Sequence, residues 1–72
     1  MGTRVRITLN GEAFELPGTL SVSGLLARLN LDPRRVAVER NLAVVKRAAF
    51  GETMIEDGDS VEIVNFVGGG LR

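Results

Sequence analysis

A polar–apolar alternation runs through residues 3–16, TRVRITLNGEAFEL, and is interrupted once, at Asn10-Gly11. Alternation with a period of two is typical of a β-strand that has one face on the core and the other in solvent. Asn-Gly suits a two-residue type I′ turn, because both central residues of that turn have positive φ. The sequence therefore predicts a β-hairpin with strands at residues 3–9 and 12–16, which ends at Pro17-Gly18.

One helix is predicted after this hairpin. Ser21 is a suitable N-cap, since its hydroxyl can accept a hydrogen bond from an amide of the first helical turn. Apolar residues then recur at intervals of three and four and share one stripe: Val22, Leu25, Leu26 and Leu29. The helix is expected to end at residues 31–33, Leu-Asp-Pro.

The second half of the chain predicts three further strands around one irregular segment. The strands are expected at residues 35–39, 43–46 and 60–67. Residues 47–55 have no clean period, and we expect a loop with one turn of helix, anchored by Phe50 and Ile55. Because a single helix can cover only one face of a sheet, this order of elements predicts an α+β domain with two layers.

Composition narrows the possible functions. The chain has 72 residues, enough for one domain, and contains neither cysteine nor histidine. Disulfides, thiolate-bound metals and the commonest general base are therefore excluded. Nine basic residues balance nine acidic ones, and Trp and Tyr are absent, so binding to nucleic acid is not expected. No apolar run suits a membrane span or a signal peptide, and we expect a soluble, cytoplasmic protein without membrane association.

The acidic segment around Asp57-Gly58-Asp59 can be interpreted as a turn or, together with Glu56, as a site for a hard cation. A calcium loop needs more oxygen ligands at defined spacing. The sequence therefore predicts a solvated turn and no metal site.

The last predicted strand leaves two interpretations of its outer side. Val61 and Ile63 suit the side that faces the helix, whereas Val64 and Phe66 point to the opposite side, for which no second helix is available. Either neighbouring side chains and the loop at 47–55 shield these two residues, or the residues form a partner-binding surface.

Three glycines, Gly68, Gly69 and Gly70, follow that strand directly. Without side chains, an extended backbone could enter a narrow channel in another protein. The alternative is a chain end without a function. A phosphate-binding loop is disfavoured, because no helix follows to supply its N-terminal amides.

Several segments together resemble the ThiS family of ubiquitin-like sulfur carriers. They are residues 10–12 (NGE), 29–35 (LNLDPRR), 36–41 (VAVERN), 57–59 (DGD) and 61–70 (VEIVNFVGGG). The resemblance implies a ubiquitin-like β-grasp fold, in which one main helix packs on one face of a mixed sheet of four to five strands. The β-grasp domain would occupy residues 1–67, and a flexible glycine-rich tail would occupy residues 68–72.

The resemblance also implies a function in thiamine biosynthesis for a protein that is not itself an enzyme and binds no cofactor. In such carriers a ThiF- or MoeB-like adenylating enzyme uses ATP to activate the carboxylate of the C-terminal glycine. The persulfide of a cysteine desulfurase or rhodanese-like protein then supplies sulfur. The resulting thiocarboxylate donates that sulfur to thiazole synthase (ThiG) for thiazole formation.

The family pattern assigns roles to particular residues of this chain. Gly70 would be the site of adenylation and of the thiocarboxylate, while Gly68 and Gly69 would enter the partner's active site. The partner-binding surface would consist of Val64, Phe66 and Val67. The free carrier is expected to be a monomer.

Two departures from the family pattern keep other interpretations open. Leu71 and Arg72 follow the glycine that should carry the reactive carboxylate. Proteolytic trimming, addition during cloning and loss of the carrier role would each explain them. At Asn41-Leu42 the family usually has Asn-Gly, and we expect a turn of different shape, since leucine disfavours positive φ.

Three alternative functions follow from the same fold. The first is a MoaD-like sulfur carrier for molybdopterin. The second is a carrier for another sulfur-transfer pathway, such as cysteine synthesis or tRNA thiolation. The third is a ubiquitin-like interaction module that carries no sulfur.

Overall fold

Seven strands and one helix account for most of residues 4–66, the part of the chain that the computed structural model describes. Two 3₁₀ turns lie at Pro33–Arg35 and Arg47–Ala49. The elements in chain order are β1 Val5–Leu9, β2 Glu12–Leu16, β3 Leu20–Ser21, α1 Val22–Arg28, β4 Val36–Arg40, β5 Ala43–Val45, β6 Met54–Ile55 and β7 Ser60–Asn65.

Five of these strands form one mixed sheet in the order β2-β1-β7-β4-β5. The central pair β1 and β7 is parallel, and all other neighbours are antiparallel. The inward side chains of the sheet and the apolar stripe of α1 form one buried core. This arrangement confirms the predicted α+β architecture of a mixed sheet with one main helix on one face.

The helix begins where the sequence predicts and ends earlier. The Ser21 hydroxyl accepts a hydrogen bond from the Gly24 amide at 3.0 Å, which confirms the N-cap. The predicted end at residues 31–33 is wrong, because α1 stops at Arg28. Asn30 has a φ of 61°, and the Leu31 amide donates to the Leu26 carbonyl. This is a Schellman ending, which reverses the chain directly after α1.

A second, two-stranded sheet was not predicted. In it β3 pairs with β6, and next to it the amides of Val22 and Ser23 donate to the carbonyls of Thr53 and Phe50. The irregular segment thereby supplies acceptors for two amides of the first helical turn, which have no partner within the helix. Phe50 is buried, as predicted for an anchor of this segment. The segment therefore packs at the start of α1, on the helix side of the sheet.

Both two-residue hairpin turns have the same shape. Asn10 and Gly11 have φ values of 50° and 86°, as the type I′ prediction requires. Asn41 and Leu42 have φ values of 53° and 71°, so the prediction of a different shape for that turn is wrong. The pairing of Arg40 with Ala43 leaves only two residues for the connection. The pairing of β4 with β5 thus imposes a positive φ on Leu42, although leucine tolerates this conformation poorly.

Asp59 is buried, and the prediction of a solvated turn is wrong for this residue. Its side chain is enclosed by three donors, and the whole residue is only 8% exposed. Oδ2 accepts from the Arg40 Nε at 2.6 Å and from the Glu56 amide at 2.8 Å, and Oδ1 accepts from the Asn41 Nδ2 at 3.1 Å. Burial by itself raises the pKa of Asp59, but these hydrogen bonds and the Arg40 charge outweigh it and lower the pKa.

Neither a metal cluster nor a membrane span is found in the described part of the chain. Residues 4–66 contain no group of three side chains that could ligate a metal ion. Their one helix has seven residues, too few to cross a bilayer.

Candidate partner-binding surface

The last strand of the sheet lies at its centre and has two different faces. Val61 and Ile63 are buried under the helix, as predicted. On the opposite face Val64 is 56% exposed and Phe66 is 51% exposed. The shielding interpretation is therefore wrong, because residues 47–55 pack on the other side of the sheet. Two large apolar side chains lie in solvent directly before the glycine run.

Two neighbouring strands extend this exposed region. Val64 pairs with Ala37 on β4, and Val44 on β5 pairs with Glu39, so Ala37 and Val44 share the outer face with Val64. Val44 is 72% exposed. We refer to the four residues Ala37, Val44, Val64 and Phe66 as the outer apolar surface. An exposed group of apolar side chains on so small a domain is typical of an interaction site.

Val44 was not predicted as a member of this surface. It lies in a strand of three residues, too short for a readable alternation. Its neighbour Val45 is the half-buried member of the pair that packs against the core. The available signal was the Val44-Val45 doublet itself: two successive apolar residues in a strand must point to opposite faces.

The other half of the same sheet face is charged. Arg4 and Arg6 on the β1 side form ion pairs with Glu15 on β2, at 3.4 and 3.2 Å. All three side chains are exposed, so these pairs add little stability. The exposed apolar side chains therefore lie on the β7, β4 and β5 half of the face, where Glu62 and Glu39 are their charged neighbours.

The end of β7 remains attached to the sheet up to the last described residue. The Phe66 amide donates to the Arg35 carbonyl at 2.7 Å, which continues the pairing of β7 with β4. Val67 and the predicted tail residues Gly68, Gly69 and Gly70 lie outside the described residues, as do Leu71 and Arg72. The predicted boundary between domain and tail at residue 67 therefore stays a prediction.

A mixed sheet that packs around one helix, with its last strand at the centre and exposed apolar residues before a glycine run, defines a ubiquitin-like domain of the β-grasp class. A model of the ThiS family matches residues 7–70 of the chain. The chain belongs to the ThiS family.

Individual relatives agree with this assignment. Sulfur carrier protein ThiS of Bacillus subtilis is 40% identical over 65 residues, which are 89% of this chain and 98% of that protein. The crystal structure of the thiamine biosynthesis protein ThiS from Geobacter metallireducens superimposes with a TM-score of 0.79 at 39% identity. That match covers 92% of this chain and all of the other, and it confirms the ubiquitin-like fold.

A longer relative also matches. The thiazole synthase of Paramagnetospirillum magneticum is 41% identical over 66 residues, which are 92% of this chain but only 20% of that protein. A second thiazole synthase, from Magnetococcus marinus, is 42% identical over the same share of its length. The chain thus spans about a fifth of the length of these two relatives.

Proposed function

We propose that this chain is a sulfur carrier of thiamine biosynthesis that acts through a thiocarboxylate at Gly70. It is a carrier protein and not an enzyme, as expected for a member of the ThiS family. The observation that carries the proposal is the family match, which extends through residue 70 and so includes the whole glycine run. The exposed Val64 and Phe66 directly before that run support it.

The proposed chemistry needs activation because a carboxylate is a poor electrophile. A carboxylate oxygen of Gly70 attacks the α-phosphate of ATP on an adenylating enzyme, and pyrophosphate leaves. The terminal sulfur of a protein persulfide then attacks the acyl carbon, and AMP leaves. A second thiol reduces the resulting acyl disulfide, which frees the thiocarboxylate. Every catalytic group is supplied by a partner, so the absence of Cys and His in this chain is compatible with the role.

Thiazole synthase is the proposed recipient of the sulfur. In two relatives a region similar to this chain is part of a longer protein named thiazole synthase. A carrier and its acceptor enzyme joined in one chain would have a high effective concentration for each other. This observation favours thiazole formation over molybdopterin synthesis and the other sulfur-transfer pathways.

The outer apolar surface is the proposed docking site for the adenylating enzyme. Burial of Val64 and Phe66 by a partner would remove two large apolar side chains from water, the kind of contact that dominates binding energy. The glycine run would then extend from the docked domain into the active site, because its residues add no bulk beyond the backbone.

The loading reaction can be tested by intact mass. A chain that ends at Gly70 is incubated with ATP, a ThiF-like adenylating enzyme and a persulfide donor, and the full chain is treated identically. We expect only the chain that ends at Gly70 to gain the mass difference between a sulfur and an oxygen atom. Gly69→Val in that chain should abolish the gain, whereas Ala48→Val, which places the same side chain in an exposed turn, should not. An unchanged mass with an active partner would refute the proposal.

The docking role can be tested by kinetics of the same reaction. Val64→Asp and Phe66→Asp should each raise the KM for the carrier about tenfold, since a hot-spot contact is worth about 1–2 kcal/mol. Ala48→Asp places the same charge at an exposed position outside the surface and should leave KM unchanged. Equal effects of all three substitutions would exclude a specific docking surface.

Several parts of the sequence analysis stay predictions. They are the ThiF- or MoeB-like identity of the activating enzyme and its use of ATP, the desulfurase or rhodanese-like sulfur donor, and the monomeric state. The cytoplasmic location also stays a prediction.

A further inference from the structure

The central strand loses one of its two backbone neighbours before it reaches the tail. On the β1 side, the Thr8 amide donates to the Asp59 carbonyl and the Asn10 amide donates to the Val61 carbonyl, both at 2.9 Å. The chain then turns away at Asn10, whose φ is 50°. No backbone of β1 continues beside Ile63, the next residue of β7 that faces this side.

The side chain of Asn10 takes the place of the missing backbone. Its Oδ1 accepts from the Ile63 amide at 2.8 Å, and its Nδ2 donates to the Ile63 carbonyl at 3.2 Å. A strand that continued would offer a carbonyl and an amide to the same two groups. The primary amide of asparagine presents both functions in one plane. Asn10 thus extends the ladder by one residue pair after β1 has ended.

This contact lies near the end of β7, a few residues before the glycine run at residues 68–70. Ile63 is buried and precedes Phe66, the last described residue, by three positions. On its other side β7 is held by β4 as far as Phe66, through the bond to the Arg35 carbonyl. Beyond Val61, the support that β7 receives from the β1 side in the described structure is the Asn10 amide. Between Val61 and Phe66, β7 is thus held on one side by the Asn10 side chain and on the other by the backbone of β4 and of Arg35.

We propose that Asn10 is a positioning residue, which fixes the course of β7 as far as Phe66 and so supports the loading reaction at Gly70. The inference rests on the proposed function. The turn alone would not require this side chain, because glycine adopts positive φ at least as readily. A small misplacement of a reacting group slows a reaction strongly. If residues 63–66 were held less firmly, the loading of Gly70 should therefore be slower.

Asn41 provides a matched control. It has nearly the same φ, 53°, in the same type of turn. Its side chain also makes two hydrogen bonds, accepting from the Ser60 amide at 2.9 Å and donating to Asp59 at 3.1 Å. These contacts hold the start of β7, whereas those of Asn10 hold its end. Asn41→Gly therefore removes an equal number of bonds without touching the base of the tail.

The structural part of the proposal is tested on the full chain by NMR. In Asn10→Gly we expect the Ile63 amide to exchange about tenfold faster and the residual dipolar couplings of residues 64–66 to change relative to the rest of the sheet. Asn41→Gly should leave both quantities at residues 63–66 unchanged. Asn10→Asp, which keeps an acceptor but sets a carboxylate oxygen against the Ile63 carbonyl, should act like Asn10→Gly. Unchanged couplings in both Asn10 variants would overturn the proposal.

The functional part is tested with chains that end at Gly70. Asn10→Gly should lower kcat/KM for loading about tenfold, through kcat and also through KM, because Val64 and Phe66 of the outer apolar surface belong to the reoriented residues 64–66. Asn41→Gly should change neither constant, and an equal loss in both variants would reduce Asn10 to a general stabilising role. If the unsubstituted chain is not loaded at all, the proposed function fails, while the dipolar couplings still decide whether Asn10 sets the course of β7.

Discussion

Replacing Leu42 with glycine should make the domain more stable. Leu42 has a φ of 71°, and the residue is 89% exposed, so its strained backbone is not offset by side-chain packing. A left-handed conformation costs an L-residue roughly 1–2 kcal/mol. Glycine removes that cost but loses roughly 0.5–1 kcal/mol through the greater freedom of its unfolded state. The free energy of unfolding should therefore rise by roughly 0–1.5 kcal/mol, with a midpoint of about 0.75 kcal/mol.

Thermal and urea unfolding measure this difference directly. For a domain of this size the gain corresponds to an increase in Tm of about 3–6 °C. Leu42→Ala is the control, because it removes the exposed side chain but keeps the Cβ atom that makes positive φ costly. We expect its Tm to stay close to that of the original chain. A Leu42→Gly variant that is no more stable than Leu42→Ala would show that the backbone at this turn is not strained.

Three further changes have defined outcomes. Ser21→Ala removes the N-cap bond to Gly24 and should cost about 1 kcal/mol in urea unfolding, whereas Ser21→Asp should preserve most of the stability. Asp59→Asn should cost about 2 kcal/mol at neutral pH, because buried donors lose a charged acceptor. The pKa of Asp59 is lowered from 3.8 in the folded state, so its stabilising effect is complete above that value and is lost as the pH falls through the lower folded-state pKa. The stability difference between the two proteins should therefore shrink in acid unfolding below about pH 4, and a constant difference would contradict the assignment. Glu62 lies directly opposite Glu39 across β7 and β4, and Glu62→Lys should stabilise by about 0.2–1 kcal/mol at low salt, with the gain reduced at high salt.

The elements with strong local patterns could be predicted from the sequence. The turn at Asn10-Gly11 could be predicted because asparagine and glycine tolerate the positive φ that a type I′ turn requires. The outward direction of Val64 followed from strand parity, whereas its exposure was one of two interpretations that the sequence left open. Both inferences use information contained within a few neighbouring residues.

The features that could not be predicted depend on contacts between distant parts of the chain. β3 and β6 have two residues each, and so short a strand has no periodicity. Asp59 is buried because Arg40 and Asn41, 19 and 18 residues earlier, supply two of its donors. The Asn10 contact with Ile63 spans 53 residues. The local sequence pattern identifies Asn10 and Asp59 as turn-forming residues, but it does not reveal their hydrogen bonds to distant residues.

The position of β7 has a consequence for the order of events during synthesis. Because β7 separates β1 from β4, the first two strands and the middle two cannot join into one sheet until residues 60–65 have emerged from the ribosome. A nascent chain that stops earlier leaves both halves with open edges and an uncovered core. Completion of the sheet therefore coincides with synthesis of the segment that precedes the glycines.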